Sequence, residues 1–244
     1  MTSSGDGLPE GRRPHEGGSG AGGPEDDGGR RRRILRLRPF TWPWLSACLT
    51  VTLAAVSLAM RLDTPAQRLS WRAWSSTNLA NLHDHPAAAL IASAVVPDGD
   101  DMLWVCLLAL GLGILERTVG RWRAGLTVLL AHLGGTAVSE GVVAWRIHAG
   151  ALPTSSRHII DTGPSYLVVA ALVGVTACSA ARRSFRVICG LIALALAPSL
   201  LAGLTSLDVA AVGHLCAAGT GAVLSRTSRV RNSRHKPPSP APAP

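Results

Sequence analysis

Apolar residues in this chain come in blocks, at 39–60, 102–115, 124–145, 162–181, 187–207 and 209–225, each with almost no charge. Uncharged runs of about twenty residues match the ~30 Å hydrocarbon core of a bilayer when wound as a helix. The pattern therefore predicts an all-α polytopic membrane protein with six spans. The second block has only 14 residues, roughly 21 Å of helix. It must tilt little, thin the bilayer, or continue past Glu116 at headgroup level. The fifth and sixth blocks are parted by Asp208 alone, which with Thr205 and Ser206 predicts a tight turn at a membrane surface. Pro198 predicts a kink in the fifth span.

Outside the blocks the chain changes character. Residues 1–38 are first rich in Gly, Pro, Ser and acidic residues and then in Arg, a composition too polar to bury a core and expected to be disordered. Residues 39–225 form the membrane domain, and 226–244 form a basic tail ending in a Pro-rich run. The first block is read as a signal anchor, since no convincing small-x-small cleavage site precedes Arg61 and further spans follow. With the N-terminus inside, 17 Arg and Lys flank the inner ends of the spans against five on the outer connections. That asymmetry places both termini in the cytoplasm, in a plasma or cytoplasmic membrane. The long outer connection, 61–101, contains RLSWRAWSSTNLANL, which reads either as a membrane-surface segment carrying Trp71 and Trp74 or as a loop with two interfacial tryptophans.

Composition agrees with this organisation. The chain is 47% apolar and 16% charged, with a mean hydropathy of +0.26, values unsuited to a soluble domain of 244 residues. Its net charge of +9 is carried by 23 Arg and one Lys sited between the blocks and at the ends. That distribution favours membrane lipids as partners and argues against nucleic acid. The five cysteines all fall within apolar blocks without CxxC spacing, so neither a disulfide framework, a metal site nor any other cofactor is expected.

Ionisable residues inside spans are costly and are functional candidates by default. Here they are His132, Glu140 and His214. His132, Thr136 and Glu140 share one helix face. Ser165 follows Gly163 and Pro164, a helix-start signature in which first-turn amides lack intrahelical partners. Counted from the outer ends of their spans, Ser165 and His214 lie at similar depth, ~5 and ~8 Å down. A nucleophile, a base and amide donors would then share one layer. Taken singly, Ser165 reads equally as a helix-end serine and His214 as a packing residue. Small-residue ladders on two spans, Gly213, Ala217 and Gly221 on one, Ala170, Gly174 and Cys178 on the other, predict close helix approach. Glu140 has two readings: it orients His214 or His132, or it reaches the headgroups near Trp145 and Arg146.

At these positions the chain resembles the rhomboid intramembrane serine proteases. GPSY at 163–166 is similar to their GxSG nucleophile motif, GHLCAAGTG at 213–221 to their AHxxGxxxG sixth-helix motif, and LERTVG at 115–120 to the Glu-Arg-x-x-Gly end of their second helix. A Trp71-Arg72 pair matches a Trp-Arg in their first outer loop. The resemblance spans 71–225 and implies a six-helix rhomboid-like bundle with Ser165 as nucleophile and His214 as general base. The chain departs from the pattern at Tyr166 and Ala217, both glycine in the motifs. The helix-two His and Asn that help form the family's oxyanion hole would fall near Asp100 and Trp104. Three functions follow: a serine peptidase cutting transmembrane protein substrates near the outer face, a catalytically silent relative that binds membrane helices or lipid, and a proton-coupled transporter. The lack of an evident inverted repeat weighs against the last.

Overall fold

The computed structural model describes residues 42–98 and 101–233. The basic N-terminal tail, Asp100 and the Pro-rich end lie outside the described residues. Nine α-helices and no strand occur within them: α1 (Trp44–Leu62), α2 (Pro65–Ser75), α3 (Leu79–Asp84), α4 (Pro86–Ser93), α5 (Asp101–Val119), α6 (Arg121–His148), α7 (Ser165–Ala177), α8 (Arg183–Leu200) and α9 (Val209–Ser233). Each expected span falls on one of six of these. Four of the six, in α1, α5, α6 and α8, are long and apolar enough to cross a bilayer. The expected fourth span is apolar but only 13 residues as α7, about 20 Å of helix. The sixth, α9, is 25 residues long and continues past Ser225 to Ser233.

Boundaries differ from the sequence expectation for local reasons. The short second block continues past Glu116 to Val119, where Gly120, at φ 88°, turns the chain into α6. The expected span at 162–181 loses both ends, because 162–164 is loop that turns at Gly163 and Pro164 and the helix stops at Ala177. The fifth helix ends at Leu200, just after Pro198. The turn that follows uses two left-handed residues, Gly203 at φ 80° and Leu207 at φ 54°. Asp208 then accepts from the amides of Ala210 and Ala211 at 3.1 and 3.4 Å, capping α9.

The 63–98 connection contains three short helices. Thr64 and Gln67 form a reciprocal capping box at the start of α2, with Pro65 in the first turn. Leu69, Trp71 and Trp74 are exposed along this helix, and Trp74 stacks on His85. Asn78 caps α3, while the Asn81 side-chain amide donates to the carbonyls of Ala73, Trp74 and Ser76.

The core is built around α7. Tyr166 to Leu172, Gly174 and Val175 are all buried, so this helix is enclosed by its neighbours α5, α6, α8 and α9. Leu108, Leu112 and Leu115 of α5 and Leu53 of α1 pack into the same apolar cluster as Val168, Leu172 and Val175. On α8, by contrast, only Cys189 is buried; Leu191 and Leu194 point outward, as suits a lipid-facing surface. The start of α1 is held by Glu116, whose carboxylate accepts from the amides of Leu45 and Ser46 at 3.2 and 2.8 Å. Those amides are first-turn donors with no partner in their own helix.

A serine–histidine pair at the head of the central helix

Ser165 opens α7, and His214 lies one and a half turns into α9. Their separation in sequence is closed by small residues. A methyl group added at Gly221 of α9 would overlap the Ala170 carbonyl oxygen of α7, and one at Gly174 would lie 2.8 Å from Ser225 Oγ. Ala170 and Ala217 are fully buried in this contact. The two helices therefore approach nearly backbone to backbone, and Ser165 Oγ lies 2.9 Å from His214 Nε2.

The other imidazole nitrogen settles the proton assignment. Nδ1 is 2.9 Å from the Leu200 carbonyl oxygen at the end of α8. A carbonyl only accepts, so Nδ1 carries the hydrogen, and in the neutral ring Nε2 is left as acceptor for the serine hydroxyl. His214 is 7% exposed. Its ring also meets Tyr166 edge-on at 5.1 Å.

Tyr166 fits here because its surroundings are small. A methyl group at Gly213 would overlap the tyrosine hydroxyl, and one at Gly135 of α6 would lie 3.2 Å from its ring. The motif that places glycine after the serine places alanine before the histidine; this chain has tyrosine and glycine, a large-for-small exchange that occupies the same space. The Tyr166 hydroxyl donates to Asp161 Oδ2 at 2.8 Å. Asp161 is further tied to the 63–98 connection, since its carbonyl accepts from the Thr77 amide and hydroxyl at 3.0 and 3.2 Å and its amide donates to Ser76 Oγ at 2.8 Å. Burial pushes the Asp161 carboxyl up to about 6, against the pull of the Tyr166 and Thr77 hydrogen bonds.

A cavity of about 290 Å³ opens beside the pair. Ser165 and His214 line it together with Asp98, Asp161, Asp208 and Trp104. The first turn of α7, whose amides have no partner within their own helix, thus stands at this wall together with Trp104. A smaller cavity of about 120 Å³ lies on the other side of His214, among apolar side chains of α7, α8 and α9.

The remaining sequence candidates lie apart from the pair. His132 Nε2 meets the Leu90 carbonyl at 2.9 Å and Ser93 Oγ at 3.3 Å, fastening α4 to α6. Glu140 is 3% exposed, and its Oε1 is buried without a hydrogen-bond partner among the described residues. Neither histidine is within hydrogen-bonding distance of it among the described residues. Arg72 of α2 donates to the Pro97 carbonyl at 3.2 Å and pairs with Asp98 at 3.0 Å. Sequence reasoning missed Asp161 and the Leu200 carbonyl as members of this neighbourhood. Asp161 had a signal, as an acidic residue four positions before the candidate serine; a backbone carbonyl has none.

A family model described as rhomboid-like protein matches residues 33–233. No curated protein and no solved structure matches the chain.

Proposed function

Because the chain belongs to the rhomboid-like protein family, and is thereby an integral, multi-pass membrane protein, we propose that it is a serine peptidase that cleaves transmembrane substrates near the outer face. The observation that carries this reading is the 2.9 Å contact between Ser165 Oγ and His214 Nε2, with Nδ1 committed to the Leu200 carbonyl. In the reaction the Ser165 hydroxyl passes its proton to Nε2 as Oγ attacks the scissile carbonyl carbon. The imidazolium then protonates the departing amine. Water, deprotonated by the neutral ring, hydrolyses the acyl-serine ester and regenerates the hydroxyl. Leu200 fills the orienting role that a carboxylate takes in a triad, accepting from Nδ1 throughout.

The developing oxyanion needs donors in place beforehand. The first-turn amides of α7 supply one set, while the family's helix-two donors would fall near Asp100 and Trp104, neither of which replaces them. Loss of one oxyanion donor costs ~10²- to 10³-fold in rate, so the exchange of the helix-two pair predicts a slow enzyme. That same exchange favours a second reading, a silent relative that binds membrane helices without cutting them. Labelling of the folded protein with a serine-directed probe separates the two. Labelling abolished by Ser165→Ala supports the enzyme, and an unlabelled folded protein refutes it.

The proposal includes six crossings with both termini in the cytoplasm, α7 and α9 completing the four long apolar helices. Reporter fusions at Ala80, Gly120, Ser155, Ser184 and Pro240 test it. An external signal at Gly120 or Pro240 overturns the topology.

A further inference from the structure

Three carboxylates, Asp98, Asp161 and Asp208, line the cavity that holds Ser165 and His214, and no Lys or Arg lines it. The three come from separate places in the chain: the end of the 63–98 connection, the loop before α7 and the cap of α9. Only one has a cationic partner among the described residues. Arg72 pairs with Asp98 at 3.0 Å. The Arg146 guanidinium donates to the carbonyls of Ser206 and Leu207, the two residues before Asp208, and forms no ion pair with the Asp208 carboxylate among the described residues. Asp161 holds the Tyr166 hydroxyl and Asp208 holds two amides of α9. Each of those contacts is made to one side of a carboxylate, and neutral donors leave its charge uncancelled.

The cavity is therefore an anionic chamber next to a nucleophile. A substrate side chain entering it leaves water, and whichever charge it brings is weighed against two aspartates that have no ion-pair partner among the described residues. An acidic side chain is repelled, a neutral one is indifferent, and an ammonium or guanidinium gains. We propose that the site selects transmembrane segments bearing a basic residue at the outer membrane boundary, with Asp161 and Asp208 as the residues that determine the preference. This rests on the reading of the Ser165–His214 cavity as the substrate site.

The test measures binding and cleavage separately. Full-length Ser165→Ala protein in phosphatidylcholine nanodiscs is titrated with three synthetic single-span peptides that differ at one boundary position, carrying Lys, norleucine or Glu. The zwitterionic lipid keeps the membrane itself from favouring the cation. The Lys peptide is expected to bind about tenfold tighter than the norleucine peptide, the range of a hydrogen bond to a charged group, and the Glu peptide is expected to bind weakest. Asp161→Asn/Asp208→Asn in the same background removes the Lys advantage and leaves norleucine binding in place. Asn is as good a helix cap as Asp and still accepts from Tyr166, so the fold is retained. Equal affinities for Lys and norleucine, an advantage that survives the double substitution, or no binding of any peptide overturns the proposal. Cleavage by the wild-type protein is read on the same peptides. Lys preference without cleavage overturns the peptidase reading and keeps the selectivity; cleavage without preference does the reverse.

Discussion

Gly221→Ala is the sharpest test of how the bundle holds its reactive pair. The added methyl group would overlap the Ala170 carbonyl oxygen and would stand 2.9 and 3.0 Å from Ala170 Cα and carbonyl carbon. All three are backbone atoms of α7 and cannot rotate away. Restoring the ~3.5 Å spacing of non-bonded carbons requires α9 to withdraw by on the order of 1 Å. Overpacking of this kind costs about 1–3 kcal/mol. His214 is seven residues earlier on the same face of α9, so the withdrawal carries the imidazole with it. The 2.9 Å contact to Ser165 then passes beyond hydrogen-bonding range, and a misplacement of ~1 Å is worth about 10²-fold in rate. Gly219→Ala is the internal control, because nothing lies within 4 Å of a methyl group there. Both variants are unfolded thermally in detergent and labelled with a serine-directed probe. The expected result is a lower midpoint and slower labelling for Gly221→Ala alone. Equal behaviour of the two variants would refute the claim that close α7–α9 contact positions the pair.

Glu116→Ala removes the acceptor of the Leu45 and Ser46 amides and should cost about 1–3 kcal/mol, read as a lowered unfolding midpoint; an unchanged midpoint would show those amides satisfied elsewhere. Asp161 has a carboxyl raised from 3.8 to about 6, so the folded state binds the extra proton and stability is greatest below about pH 4, falling as pH rises through about 6. The slope integrates to roughly 3 kcal/mol, and Asp161→Asn should flatten the pH 4–6 dependence of the midpoint; persistence of the slope would assign it to another group. Glu140 is hydrogen-bonded to neither histidine among the described residues, so Glu140→Gln should leave labelling unchanged between about pH 5 and 9. A shifted labelling profile for the Gln variant would return Glu140 to the reactive site.

What could be read from the sequence was what depends on the bilayer. Uncharged blocks mark spanning helices because lipid offers no alternative partner for the backbone, and all six blocks fall on helices. The common depth of Ser165 and His214 was legible because rise per residue is fixed. The ends of α7 were not, since apolar composition runs through residues that the chain uses as loop on one side and as the stop after Ala177 on the other. The run 68–82 was legible only as one of two readings, a membrane-surface segment, and it falls on α2 and α3; α4, PAAALIAS, escaped because eight mostly apolar residues are too few for a span. The Leu200 carbonyl on His214 was not legible either, because a carbonyl is present at every residue. Tyr166 was visible only as a departure from a motif; its compensation by Gly213 is a fact of packing.

The hold of Glu116 on the head of α1 reaches back 70 and 71 residues, and Asp161 reaches back 84 to Thr77. A ribosome adding about 5–20 residues per second exposes the start of α1 for roughly 4–14 seconds before its acceptor exists, and leaves the 63–98 connection unfastened for a comparable interval. During synthesis each early segment is thus a lodger waiting for a later one. The first helix enters the membrane with open amide ends and is closed off when the second spanning helix arrives, and the cavity beside Ser165 is completed only when Leu200, Asp208 and His214 follow the central helix. The protein's order of assembly is written into which residue satisfies which, and a chain halted before Asp161 has neither its serine nor the roof that would cover it.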